Sequence, residues 1–220
     1  MHGDYTDDSC KNPEAKWHTR RLPLDILKQH SSILWGNRDG ALRFDWMELC
    51  GPSAPTLEML MESGSIKPSA SSRKQGRFIG VDMEESVIRD CKSKYANVDN
   101  SYTEWYHGTL KSAILTSPNE NLRNNIGVLI YDSHQSMIRK DNSNIRMCLE
   151  FAKDQYNKIG EFLLVLNVVA DNRWISKPSY KEEYVEFLTS HFSSKINVDD
   201  LLIYKSKIMP MVWIALRYGF

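Results

Sequence analysis

The sequence lacks any excess of charge: Lys plus Arg and Asp plus Glu both number 28 in 220 residues, so the formal net charge is zero. That removes the broad basic field with which a protein holds long nucleic acid through its phosphates. There is no Cys-x-x-Cys pair either, and Cys10, Cys50, Cys91 and Cys148 stand singly. Zinc ribbons and thioredoxin-like motifs fail on that spacing, and scattered thiols fit a reducing compartment with cysteine as buried filler. No apolar run approaches the length needed to span a bilayer, and the polar start Met1-His2-Gly3-Asp4 is not that of a signal peptide. The expectation is therefore a cytoplasmic protein without membrane contact. Neither a Gly-x-x-x-x-Gly-Lys loop nor a Gly-x-Ser-x-Gly elbow occurs, which disfavours nucleotide hydrolases and α/β-hydrolases.

What is present is a series of short apolar runs that stop on polar or acidic residues, separated by helical patterns. Strands are expected over Leu42–Leu49, Phe78–Asp82, Tyr102–Tyr106, Val128–Asp132, Phe162–Ala170, Leu201–Lys205 and Met211–Arg217. Helices are expected from Thr56, whose hydroxyl can cap its own helix, and over Glu84–Tyr95, Ile145–Ile159 and Tyr180–Phe192. One or two short helices between Trp17 and Trp35, the second entered near Ser31-Ser32, would form a cover. Alternating strands and helices predict an α/β architecture, a mostly parallel sheet with helices on both faces. The last two strands are too close in sequence for a parallel crossover, so the final strand must run antiparallel.

In open α/β sheets ligands bind beyond the carboxyl ends of the strands, and that rule selects the residues there. Asp132 ends an apolar run, and His134 beside it could serve as a general base or as an ordinary loop histidine. Asp82 ends another run, and Glu48 precedes the turn Cys50-Gly51-Pro52-Ser53-Ala54-Pro55. A glycine there lets backbone approach a ligand, and the following helix offers free amides. Cys50 has no basic neighbour in sequence and reads as filler. The basic run Ser71–Arg77 reads as a solvated loop, and the six tryptophans read mostly as core or cover, with Trp35 and Trp174 candidates to wall a pocket.

This order of elements, from about Arg43 to Phe220, resembles the class I S-adenosylmethionine-dependent methyltransferases. The resemblance implies a Rossmann-like, seven-stranded, mostly parallel sheet with an antiparallel C-terminal strand, preceded by an arm and cover helices over residues 1–40, the catalytic domain taking 41–220. It implies that Glu48, Gly51 and Ser53 at the first turn, Asp82 and Met83 after the second strand, Gly108 and Thr109 after the third and Asp132 after the fourth hold S-adenosylmethionine. Asp82 would take the ribose hydroxyls, a pairing that suits a carboxylate because it accepts two hydrogen bonds at once. The turn departs from the family in having one glycine and two prolines. A narrower resemblance to catechol and caffeoyl-CoA type O-methyltransferases implies a divalent cation, such as magnesium, on Asp132, Asp171 and Asn172. Asp132-Ser133-His134-Gln135 differs from the turn with two prolines that nucleic-acid amino-methyltransferases use to clamp a flipped base. The expected activity is methyl transfer to a small-molecule hydroxyl or amine, with Asp132 and His134 at the transfer site. The alternatives are a non-catalytic binding or scaffold protein on the same fold, or a nucleic-acid methyltransferase without that turn.

Overall fold

The computed structural model describes residues 13–34, 40–67, 75–98, 101–116, 125–136, 143–169, 182, 201–205 and 210–219. Helix α1 spans Pro13–His30, and strand β1 (Asp45–Leu49) is followed by α2 (Pro55–Glu62). Strand β2 (Phe78–Asp82) leads into α3 (Glu85–Lys94), and β3 (Thr103–His107) into α4 (Leu110–Leu115). Strand β4 (Ile126–Ser136), α5 (Ser143–Ile159), β5 (Phe162–Val169), β6 (Leu201–Lys205) and β7 (Pro210–Tyr218) complete the order.

The strands hydrogen-bond in the order β3-β2-β1-β4-β5-β7-β6. Strands β1 to β5 are mutually parallel, and β7 runs antiparallel to both β5 and β6. The sheet is thus mixed and mostly parallel, as the short spacing of the last two strands requires. From β1 the chain proceeds outward to β2 and β3, then returns to place β4 on the other side of β1. That reversal opens a crevice at the carboxyl ends of β1 and β4.

Successive side chains of a strand alternate between faces, and here both faces are covered. Trp46, Phe78, Val128, Leu163 and Val165 face one core with Leu24 and Leu27 of α1, Leu57 and Leu60 of α2, and Ile88 and Cys91 of α3. Met47, Ile79, Leu129, Leu164 and Leu166 face the other, against Leu110 and Ile114 of α4 and Cys148 and Ala152 of α5. The amino ends of β1 to β3 are tied by charge. Arg77 donates to Asp45 Oδ2 at 2.6 Å and to Glu104 Oε2 at 2.6 Å, and its backbone N–H meets Asp45 Oδ1 at 2.8 Å.

Several sequence expectations need correction. Of the one or two short helices expected between Trp17 and Trp35, the described residues form one, Pro13–His30, which starts earlier and runs through Pro23; Ser31 and Ser32, instead of starting a second, donate to Glu161 at 2.8 to 2.9 Å and pin the end of α1 to the start of β5. Strand β1 begins at Asp45, and Leu42 makes only an isolated bridge to Leu34. Strand β4 continues past Asp132 to Ser136, because β5 offers pairing partners out to Val169. Thr56 does not cap its helix: α2 starts at Pro55 from Ala54, which is left-handed and supplies no side-chain cap. The expected helix over Tyr180–Phe192 falls almost entirely outside the described residues, as do Trp35 and Trp174.

Candidate cofactor site at the carboxyl edge of the sheet

The carboxyl ends of β3, β2 and β1 stand beside the part of β4 that runs on past β1, and bring His107, Asp82, Glu48 and Asp132 to one edge. Asp82 and His107 are register partners, and the Gly108 N–H donates to the Asp82 carbonyl at 2.8 Å. The imidazole Nε2 of His107 lies 3.1 Å from the Met83 carbonyl, so the ends of β2 and β3 are fastened together. Asp82 is half-buried; its Oδ1 accepts the Glu84 N–H at 2.8 Å, which turns the chain into α3. Among the described residues its Oδ2 has no hydrogen-bond partner. Met83 beside it is 57% exposed, an unusual position for a large apolar side chain.

Glu48 lies beneath this edge, only 4% exposed. Its Oε2 accepts the Trp46 indole N–H at 3.0 Å, and the Thr56 hydroxyl also hydrogen-bonds to it. Burial pushes its carboxyl up to about 7, against the lowering effect of Trp46, Thr56 and the Arg20 guanidinium; Asp132 adds a smaller upward push. Glu48 is thus a buried acid poised near neutrality. The β1 turn above it is left-handed at three places: Gly51 at φ 57°, Ser53 at φ 63° and Ala54 at φ 42°. A Cβ at Gly51 would meet nothing within 4 Å, so the space beside its backbone is open to a ligand. Cys50 is buried, and its hydrogen bond with Cys91, together with desolvation, pushes its thiol far above the ordinary range. It fills space and is no nucleophile.

Asp132 is exposed at the end of the β4 segment flanking the crevice, and Asn167 donates to its Oδ1 at 3.0 Å. Sequence reasoning missed Asn167, although it stands opposite Asp132 in the β4–β5 register. His134 lies in β4, with its side chain outside the described residues, and Asp171 and Asn172 lie outside them altogether. Among the described residues no group of three His, Cys, Asp or Glu side chains is placed to hold a metal ion. Thr109 accepts the Ser112 N–H at 3.0 Å and so caps α4, a structural duty beside the one expected of it. Tyr95 and Lys94, which reach Ser53 from the far end of α3, were also missed.

No family model matches the sequence, and no curated protein matches it. Solved structures do. A Streptococcus pneumoniae protein, Sp1610, described as a proposed tRNA (m1A22) methyltransferase, superposes with a TM-score of 0.51 at 12% identity, over 90% of this chain and 69% of that one. M. capricolum TrmK, solved with S-adenosyl-homocysteine, gives 0.51 at 8% identity over 90% and 68%. The Escherichia coli protein yhhF, a proposed methyltransferase, gives 0.50 at 10% identity over 94% and 88%. The chain has the class I methyltransferase fold. Identities this low carry the methyltransferase fold and no particular acceptor. No described helix is long and apolar enough to cross a membrane.

Proposed function

We propose that this protein is an S-adenosylmethionine-dependent methyltransferase acting on a small-molecule hydroxyl or amine. The observation that carries the reading is Asp82: a half-buried carboxylate at the end of β2 with one oxygen held by the Glu84 amide and the other without a partner among the described residues. A vicinal diol matches such an acceptor. Gly51, Ser53, Gly108 and Thr109 would border the same ligand, Met83 would lie against its flat apolar part, and Glu48 would supply a proton-exchanging group beneath it. When bound, the cofactor supplies an electrophilic methyl group.

The chain's own contribution is placement, since in-line displacement needs the nucleophile close to and aligned with the methyl. Asp132, fixed by Asn167, would orient the acceptor, and His134 would accept its proton. A zero net charge favours a small acceptor over a long polyanion, although the S. pneumoniae neighbour's name keeps a nucleic-acid acceptor as the second reading. The cation reading rests on Asp132 with Asp171 and Asn172; indifference of turnover to magnesium and EDTA would remove it. Titration calorimetry with S-adenosylmethionine and S-adenosylhomocysteine is the deciding experiment. Binding of both with Kd in the micromolar range is expected, and no heat with either would overturn the enzyme reading. Mass-spectrometric screening of small hydroxyls and amines against tRNA would then separate the acceptors.

A further inference from the structure

Turns that bring backbone up to a ligand are usually rich in glycine, because glycine alone enters the left-handed region without steric cost. This turn has Ser53 and Ala54 in that region, at φ 63° and 42°, with only Gly51 as a glycine. A non-glycine residue held there is strained and persists only where its surroundings over-determine it. The surroundings are two side chains at the C-terminus of α3. The Tyr95 hydroxyl donates to the Ser53 carbonyl at 2.8 Å and to the Ala54 carbonyl at 3.3 Å. Lys94 Nζ donates to the same Ser53 carbonyl at 3.2 Å and pairs with Glu58 of α2 at 2.6 Å.

Tyr95 is itself firmly set. Its ring stacks on Trp105 of β3 with centroids 5.7 Å apart and planes 16° from parallel, and Trp105 meets Phe78 edge-on at 5.8 Å. Burial pushes the phenol up to about 12, so its proton stays in place as the donor across the working pH range. The Ser53 carbonyl is thus held from outside, by an anchor running through β3 and α3, while the Ala54 carbonyl accepts both the Tyr95 hydroxyl and, at 3.0 Å, the Leu57 N–H of α2.

We infer that Tyr95, assisted by Lys94, is a positioning residue for cofactor binding: it replaces, by hydrogen bonds to the Ser53 and Ala54 carbonyls, the conformational freedom that glycines would give the β1 turn. The inference rests on the reading of this edge as the S-adenosylmethionine site. If the turn is competent to bind only in this conformation, releasing it lowers the competent fraction, and the apparent Kd rises in inverse proportion.

The test uses the full chain and S-adenosylhomocysteine in calorimetry, starting with the unaltered protein. Absence of binding there sinks the methyltransferase reading and this inference with it. Given binding, Tyr95→Phe keeps the stack on Trp105 and removes only the hydroxyl. An increase in Kd of about tenfold is expected, equivalent to about 1.4 kcal/mol. Adding Ala54→Gly to Tyr95→Phe should return Kd to within about threefold of the original, since glycine needs no clamp. A purely structural role for Tyr95 predicts a lower Tm with unchanged Kd, and that result overturns the inference while leaving the cofactor reading intact. A weakened Kd that glycine does not rescue also overturns it. Should Tyr95→Phe fail to fold, Lys94→Met takes its place: a rise of about threefold, reversed by Ala54→Gly, supports the inference, and an unchanged Kd overturns it.

Discussion

Replacing Glu48 by glutamine should make the protein more stable at high pH and leave it nearly unchanged at low pH. The carboxyl is 4% exposed and titrates near 7 instead of near 4.5, chiefly because burial opposes its charge. A folded-state pKa above the unfolded one means that the native protein keeps this proton after the unfolded chain has lost it. Between those two values the unfolded state binds fewer protons, so stability falls as pH rises through the window from about 4.5 to about 7. The full effect is about 3 kcal/mol, of which roughly 2.5 kcal/mol lies between pH 5 and pH 8. Glutamine never ionises, and its amide oxygen can still accept from the Trp46 indole. Urea unfolding of both proteins at pH 5, 6, 7 and 8 measures the difference, in which the contributions of all other groups cancel. The gap between variant and parent should widen by about 2.5 kcal/mol from pH 5 to pH 8, or about 5 to 10 °C in Tm. Two parallel curves across this range would refute the assignment of a near-neutral buried acid.

Three further outcomes follow from the geometry. Asp82→Ala removes the half-buried carboxylate proposed above to take the ribose hydroxyls, and S-adenosylhomocysteine affinity measured by calorimetry should fall by about a hundredfold, the scale of hydrogen bonds to a charged group. Arg77→Met strips the 2%-exposed Asp45 of its guanidinium partner; urea unfolding should show a loss of about 3 to 5 kcal/mol. Because that pair lies at the opposite end of the strands from the site, ligand affinity of the folded protein should not change. Gly80→Ala would place a Cβ 2.7 Å from two ring carbons of Trp105. The displaced indole should cost about 1 to 3 kcal/mol in stability and, through the Tyr95 stack, weaken S-adenosylhomocysteine binding as Tyr95→Phe does.

How much of this was legible in the sequence depends on the distance over which each feature is decided. The strands of the sheet core are decided locally. Phe78–Val81 and Phe162–Leu166 are continuous apolar runs, the pattern of strands covered on both faces, and the expected positions of the two strands match within a residue. Asp82 was singled out by the same local rule, as the residue on which such a run stops, whereas Glu48, followed by Leu49, was picked for its place before the first turn and by the resemblance in element order. Where the rule considered composition alone it stopped too early: Ser133 to Ser136 is polar, yet stays in β4 because β5 pairs with it. The N-terminal helix was expected to be short and to allow a second one entered at the serine pair; α1 instead runs as one piece from Pro13 to His30, with Leu24 and Leu27 on its buried face, and the serine pair marks its end.

Thr56 shows why the site was harder to see than the fold. A threonine before an apolar run is a common helix start, but Pro55 also favours the first helical position, and the two signals compete. Tertiary contact decides between them. With Pro55 leading, Thr56 falls inside the first turn of α2, where its hydroxyl engages the buried Glu48, and Ala54 becomes the cap, in a left-handed conformation that a residue before proline does not favour. The same register gives the turn its strain and the acid its partner, so one ambiguous residue couples two features that looked unrelated in sequence. The donors that meet the strained carbonyls come from Lys94 and Tyr95, some 41 residues farther along the chain. No periodicity links them to the turn. Only the parallel placement of β1 beside β2, which carries α3 back across the first turn, brings them within reach, and so a turn with a single glycine is still held left-handed at Ser53 and Ala54.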